Sequence, residues 1–312
     1  MSDNKLLQAL ENKPYLNFAE YMEYALYHPQ CGYYMQDPSP IGRDFVTAPL
    51  LSPLLAKAVS SWLDMNNITH VMEIGAGSGV LAKQLLNNQN IQSYCILDKN
   101  LKASEDIQDS RCRWVSEVGC FEGAIIANEL LDAFPFRRFC LQEGGLYEFV
   151  VDREARMKLV PVDQPLLPKE VLLQLQSMPR PYVFEYCDYA PFFKQLKQAR
   201  AKLLLIDYGY NGYQPDHALG TMMCYKNHQS IPFSLSKTGK MDITCAVNWK
   251  LLESVAFEHG FRINHMGTQK DFIAHMVTLA SEMLDKRTLR LLCEHEMGEF
   301  IKVVELRKNT EP

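Results

Sequence analysis

The chain has 312 residues, a formal net charge of −5, nine cysteines and a hydrophobic fraction of 47%. That length allows one large α/β domain with additions, or two domains, around a full core. The acidic balance and the absence of a basic run argue against a general nucleic-acid binder, and scattered cysteines without a C-x-x-C pair read as a reduced chain rather than a zinc or disulfide framework.

Residues 1–65 read as an N-terminal helical or lid segment. Leu6 to Leu10 and Phe18 to Leu26 have helical spacing, residues 28–53 are rich in Pro, Gly, Tyr and Asp, and a helix resumes from Leu54 to Leu63, with Pro53 at its first position. A core over residues 66–312 follows. Apolar strand-like runs occur at 70–74, 93–97, 113–115, 123–127 and 202–206, and helical patterns separate the early ones. That alternation is the mark of a parallel sheet. Two insertions interrupt the core, at about 136–200 and 208–245. The first opens with alternating strands at 136–141, 146–151 and 157–160, turned by Glu143-Gly144-Gly145, and continues as helices. The second reads as a long, aromatic-rich irregular stretch. A helix at 249–258, a strand at 261–265, further helices through 275 and 293 and a strand near 300–306 close the pattern. No targeting peptide is visible in the first residues and no apolar run can span a bilayer, so a cytoplasmic chain without membrane insertion is expected.

Chemistry concentrates after the first core strand, which runs Val71-Met72-Glu73-Ile74 into Gly75-Ala76-Gly77-Ser78-Gly79. Glycine admits positive φ and close approach of a ligand to the backbone, and a helix start beyond it attracts a carboxylate or phosphate. Asp98, at the end of the next strand, suits the two hydroxyls of a ribose. The dinucleotide fingerprint G-x-G-x-x-G is not met, because Val80 stands where its last glycine belongs. Glu73 would repel a pyrophosphate but can orient the ammonium of a methionine moiety. S-adenosylmethionine is therefore the expected cofactor, with Val115 and Ser116, after the third strand, bordering its adenine. A glycine turn that binds nothing is the plain alternative.

The fourth strand ends in Asn128-Glu129-Leu130-Leu131-Asp132. Ligands of open parallel sheets lie beyond the carboxyl ends of the strands. If the chain turns helically there, Glu129 and Asp132 share a face and can grip a guanidinium and take its proton. Simple capping by Asn128 and Asp132 is the bland alternative. The loop Ile41 to Pro49 can cover the cofactor, with Asp44 and Thr47 as polar contacts, or Thr47 can merely satisfy its own turn. Asp242 reaches a substrate cleft or holds a turn. Adjacent Cys293, Glu294, His295 and Glu296 point different ways on a helix and do not form a metal site. Arg137 and Arg138 read as a solvent-facing strand edge or a patch for an acidic partner.

In order along the chain, Asp44-Phe45-Val46-Thr47-Ala48-Pro49, the segment from Glu73 to Gly79, Asn128 to Pro135, Asp207-Tyr208-Gly209-Tyr210, Gly239 with Asp242-Ile243-Thr244, and Thr268-Gln269 with Phe272 resemble the MidA-type S-adenosylmethionine-dependent methyltransferases. That family includes a mitochondrial complex I assembly factor. The resemblance implies a class I methyltransferase (Rossmann-like) α/β sheet with inserted substrate-side segments. It also implies protein arginine methylation, with a respiratory complex I subunit as a substrate in mitochondrial relatives. Arg43 stands where the family has glycine, and Leu50 where it has glutamate. On the residues together, Glu129, Asp132 and Asn128 are the expected catalytic group. Glu73, Gly75, Gly77, Gly79, Asp98, Val115, Ser116 and Thr47 are expected to hold cofactor, and Asp44 and Asp242 substrate. No metal is expected. A scaffold that binds the cofactor without turnover, a small-molecule or nucleic-acid methyltransferase, and a nicotinamide oxidoreductase are the alternatives.

Overall fold

The computed structural model describes residues 13–36, 40–100, 106–162, 166–279, 285–293 and 296–309. The expected helix at Leu6 to Leu10 lies outside them. The chain forms two compact units, each assembled from separated stretches. One takes residues up to 36, 133–188 and 210–251, and the other takes 37–132, 189–209 and 252 onward.

The second of these units holds the parallel sheet. Its strands are His70–Ile74 (β1), Ser93–Leu97 (β2), Cys112–Trp114 (β3), Glu122–Asn128 (β4), Arg200–Tyr210 (β5), Phe261–Thr268 (β6) and Ile301–Lys308 (β7). They lie in the order β3-β2-β1-β4-β5-β7-β6. All pairings from β3 to β5 are parallel, while β7 runs antiparallel to both β5 and β6. This is the class I methyltransferase arrangement, with a reversed strand near one edge. The central strands are apolar on both faces, as expected of a parallel sheet covered on both sides. In β4, residues Ala124 to Ala127 are all buried.

Leu54–Met65 (α1) places Leu54, Leu55, Ala58, Val59, Trp62 and Leu63 on one buried stripe at helical spacing. Pro53 is the N-cap residue, one position earlier than the sequence suggests. Val80–Leu85 (α2) and Gln269–Met276 (α3) bury Leu81, Ala82, Leu85, Phe272 and Ile273 in the same core, beside Val71, Ile96, Ile126 and Val303. The indole of Trp62 donates to Glu305 Oε2 on β7 at 3.0 Å, which satisfies both buried polar groups.

The other unit is built on an antiparallel sheet, ordered Tyr15–Asn17, Gly145–Asp152, Phe136–Gln142, Tyr182–Cys187, with Met157–Pro161 also paired to Gly145–Asp152. The hairpin expected around Gly144-Gly145 forms. The strand Tyr182–Cys187 replaces part of the expected helical run; it pairs with Phe136–Gln142 and buries Tyr182, Phe184, Glu185 and Cys187. The helix Phe18–Tyr27 starts with a reciprocal capping box between Asn17 and Glu20. It sets Phe18 against Phe136, ring centroids 5.3 Å apart. The stretch read as irregular carries a small sheet of Gln229–Ser230, Met223–Lys226 and Asp242–Thr244.

Candidate active site

The turn between β1 and α2 is left-handed at each alternate residue, with φ of 76° at Gly75, 54° at Gly77 and 70° at Gly79. A Cβ on Gly75 would fall 2.6 Å from Leu130 Cδ1, and one on Gly77 2.4 Å from Ile41 Cδ1. The left-handed backbone therefore favours glycine here, and a Cβ would also oblige the Leu130 and Ile41 side chains to shift. Gly75 N–H donates to Leu97 O at 2.9 Å and Gly79 N–H to Ala76 O at 2.9 Å. These bonds fix the turn to β2 and to itself.

Gly77 N–H donates to Asp98 Oδ2 at 2.9 Å, and Asn100 N–H to Asp98 Oδ1 at 2.8 Å. The carboxylate that the sequence assigns to a ribose thus also braces the glycine turn. Each of its oxygens retains a second lone pair for a ligand hydroxyl. Burial raises the Asp98 pKa, and the two N–H groups pull against it. Glu73 is buried and accepts from Tyr94 Oη at 2.6 Å. Burial pushes its carboxyl up to about 7; the Tyr94 bond opposes that, and the Asp98 charge adds to it.

Two acids held against ionisation by burial, with the Asp98 charge adding to the effect on Glu73, would be relieved by a cation and burdened further by a pyrophosphate. A sulfonium with an α-ammonium is such a cation, so the donor set fits S-adenosylmethionine. The cradle around Gly77 points the same way. Val115, just past β3, donates its N–H to Ile96 O at 2.9 Å, and Ser116 beside it is exposed.

At the tip of β4 the structure departs from expectation. Glu129 adopts φ of 49°, left-handed for a residue with a side chain, and only Leu131–Ala133 forms a helical turn, of the 3-10 type. Glu129 and Asp132 therefore do not stand on one face of a helix, because the left-handed residue breaks the screw before it starts. Glu129 Oε1 instead accepts from Ala48 N–H at 3.0 Å and, weakly at 3.5 Å, from Asn128 Nδ2. Asn128 Oδ1 is buried and has no hydrogen-bond partner.

Sequence reasoning assigned no role to Asp207, at the same end of β5. It is fully buried, and its Oδ2 accepts from the N–H groups of Leu130, Leu131 and Asp132 at 3.0, 2.7 and 3.3 Å, while Oδ1 accepts from Tyr208 N–H at 2.8 Å. Burial pushes its carboxyl up to about 7 against the pull of these donors. Its place at a strand end, in line with Asn128, and its membership of the segment Asp207-Tyr208-Gly209-Tyr210 that carries the family resemblance signal it in the sequence.

The loop before α1 closes on itself through Gly42 N–H to Phe45 O at 2.9 Å, and Ile41 reaches the glycine turn. Asp44 is buried, with the Arg43 guanidinium donating to both its oxygens at 3.1 and 3.4 Å. Thr47 precedes the helix Ala48–Leu51 without a side-chain capping bond. Asp242 belongs to the other unit, where it is buried and accepts from Tyr34 Oη at 2.6 Å. Arg137 and Arg138 are not a solvent-facing edge. Arg137 forks onto buried Glu148 at 2.6 Å through both contacts, and Arg138 Nε lies 3.4 Å from buried Glu185. Glu294 and His295 fall outside the described residues, among which no group of three metal-ligating side chains occurs. A cavity of about 430 Å³ lined by Trp62, His265, Phe272, His275 and Glu305 lies between α1, α3 and β5–β7, apart from the glycine turn.

The family model described as "Putative S-adenosyl-L-methionine-dependent methyltransferase" matches residues 54–267, from the start of α1 into β6. The chain belongs to this methyltransferase family. A solved Burkholderia thailandensis structure bound to S-adenosyl-homocysteine is 26% identical and aligns over 99% of this chain and 93% of its own, with a TM-score of 0.85. The Danio rerio protein arginine methyltransferase NDUFAF7, mitochondrial, is 24% identical over 315 residues, 84% of this chain and 73% of that protein. The Drosophila melanogaster NDUFAF7 homolog is 24% identical over 304 residues, covering 78% of this chain and 67% of its own. S-adenosyl-L-methionine is the cofactor of this methyltransferase. No helix among its described residues is long and apolar enough to cross a membrane.

Proposed function

We propose that this methyltransferase modifies an arginine of a protein substrate, with Glu129 as the group that grips the guanidinium and takes its proton. The observation that carries the reading is the strained conformation of Glu129 at the tip of β4, its carboxylate tied to Ala48 of the entry loop. Left-handed residues with side chains concentrate at functional sites because the surrounding structure must hold them there. The names of the Danio and Drosophila relatives support the choice of arginine.

When bound, the cofactor supplies an electrophilic methyl group on a sulfonium sulfur. Glu73, Gly75, Gly77, Gly79 and Asp98 would hold it, with Thr47, Val115 and Ser116 at its margins. A guanidinium has a pKa above about 12, so it must lose a proton as its nitrogen becomes a nucleophile. A carboxylate placed beside it serves that need and orients the planar group. Asn128 and Asp132 assist Glu129 in this reading, and Asp44 contributes to substrate binding. By the family resemblance the acceptor is a respiratory complex I subunit. Nine cysteines that form no disulfide suit a reducing compartment, which we take to be the cytoplasm; the relatives are named as mitochondrial.

The experiment is transfer of tritiated methyl from S-adenosylmethionine into a protein extract, followed by acid hydrolysis and chromatography. Wild-type protein should yield labelled methylarginine, and Glu129→Ala should lose transfer while binding S-adenosylhomocysteine within a few-fold of wild type. Label in another amino acid, in nucleic acid or in small molecules overturns the arginine reading. Full transfer by the variant overturns the role of Glu129.

A further inference from the structure

We propose that Asp207 is the positioning residue of the methyl-transfer site, a carboxylate on β5 that gathers the backbone after β4 and so holds Glu129 in place. This rests on the reading of Glu129 given above. Three consecutive N–H groups, of Leu130, Leu131 and Asp132, converge on one oxygen of Asp207. The other oxygen is tied to its own strand through Tyr208 N–H. The carboxylate is thus a bridge with one end on the sheet and one on the loop.

The residue before it completes the clamp. Ile206 pairs with Asn128 in the β4–β5 register, and its carbonyl accepts from Glu129 N–H at 2.8 Å. Glu129 therefore enters its left-handed conformation between a carbonyl that takes its own N–H and a carboxylate that takes the next three. A left-handed residue with a Cβ is strained, so it persists only where neighbouring bonds determine it. Asp207 supplies those bonds, acting as an N-cap for the turn Leu131–Ala133 from a distant strand. The same turn fixes Leu130, whose side chain packs over Gly75, so the loop is registered against the cofactor cradle as well. An amide in place of the carboxylate would keep one acceptor oxygen but lose the charge that lets a single atom hold three donors.

The test compares wild type, Asp207→Asn and Glu129→Gln in methyl transfer to extract protein at varied S-adenosylmethionine. A misplacement near 1 Å costs on the order of 100-fold in rate. Asp207→Asn should therefore lower apparent kcat by about that factor while KM for S-adenosylmethionine and Kd for S-adenosylhomocysteine stay within about threefold. A raised KM or Kd with unchanged kcat would assign Asp207 to cofactor binding, and unchanged kinetics would show that the loop does not need the carboxylate; either overturns the proposal. If Glu129→Gln retains full activity, the reading of Glu129 fails separately. Should Asp207→Asn not fold, amide hydrogen exchange on wild type decides the matter. The amides of residues 130–132 should exchange as slowly as those of Ile126 and Ala127, and exchange at the rate of an open loop overturns the proposal.

Discussion

Replacing Glu73 with glutamine removes an ionisable group from the base of the cofactor cradle without changing its shape. In the folded chain burial pushes this carboxyl from an ordinary 4.5 to about 7. By linkage, a raised acid pKa means the folded state holds a proton that the unfolded chain has already released. The stabilisation is complete below pH 4.5 and is lost as pH rises to about 7. A displacement from 4.5 to about 7 is worth about 3 kcal/mol over that interval. Glutamine cannot titrate, so its stability curve lacks this component. Urea denaturation of both proteins at closely spaced pH values gives the difference, because groups out of contact with Glu73, Asp207 included, contribute to both curves alike, and Asp98 is the neighbour coupled to it in this range. Wild type should lose about 3 kcal/mol relative to Glu73→Gln between pH 4.5 and pH 8. Parallel curves would refute the reasoning and mean that Glu73 ionises normally inside the fold.

Gly77→Ala should destabilise the protein by about 1–2 kcal/mol through its left-handed backbone, with an added cost from the Ile41 methyl. In an Ile41→Ala background only the backbone part should remain, and equal costs in both backgrounds by denaturant titration would show that the two residues do not touch. Asp98→Ala should weaken S-adenosylhomocysteine at least tenfold in calorimetry, since it loses both the ribose contact and the brace on Gly77; unchanged affinity would remove Asp98 from the cradle. Trp62→Phe should cost about 1–2 kcal/mol in stability by leaving Glu305 with one donor fewer, and an unchanged denaturation midpoint would show that the indole bond contributes nothing.

The strands His70–Ile74 and Ser93–Leu97 match their sequence reading to the residue. In both, a buried apolar run stops where turn chemistry begins, and all the information is local. The glycine turn and Asp98 are legible for the same reason. Tyr182–Cys187 was not, because what makes it a strand is a partner at Phe136–Gln142 across a long excursion of chain. The two- and three-residue strands after Tyr210 are too short to show any period. Asn128 to Asp132 reads as a helix start, and nothing within it announces that Glu129 turns left-handed. The cause lies in Asp207, far along the chain, whose carboxylate takes the N–H groups that a helix would otherwise organise. Arg137 and Arg138 were misjudged because their acid partners sit on neighbouring strands, invisible to a linear reading.

The position of β7 has a consequence for biosynthesis. Although residues 301–308 emerge from the ribosome after every other strand of the sheet, they lie inside it, between β5 and β6. Until they arrive, β5 presents an unpaired row of backbone donors and acceptors, a template for joining another nascent chain. Vectorial synthesis therefore leaves the parallel half assembled but open on one flank, and a ribosome-stalled fragment ending before residue 300 is the species most in need of a chaperone.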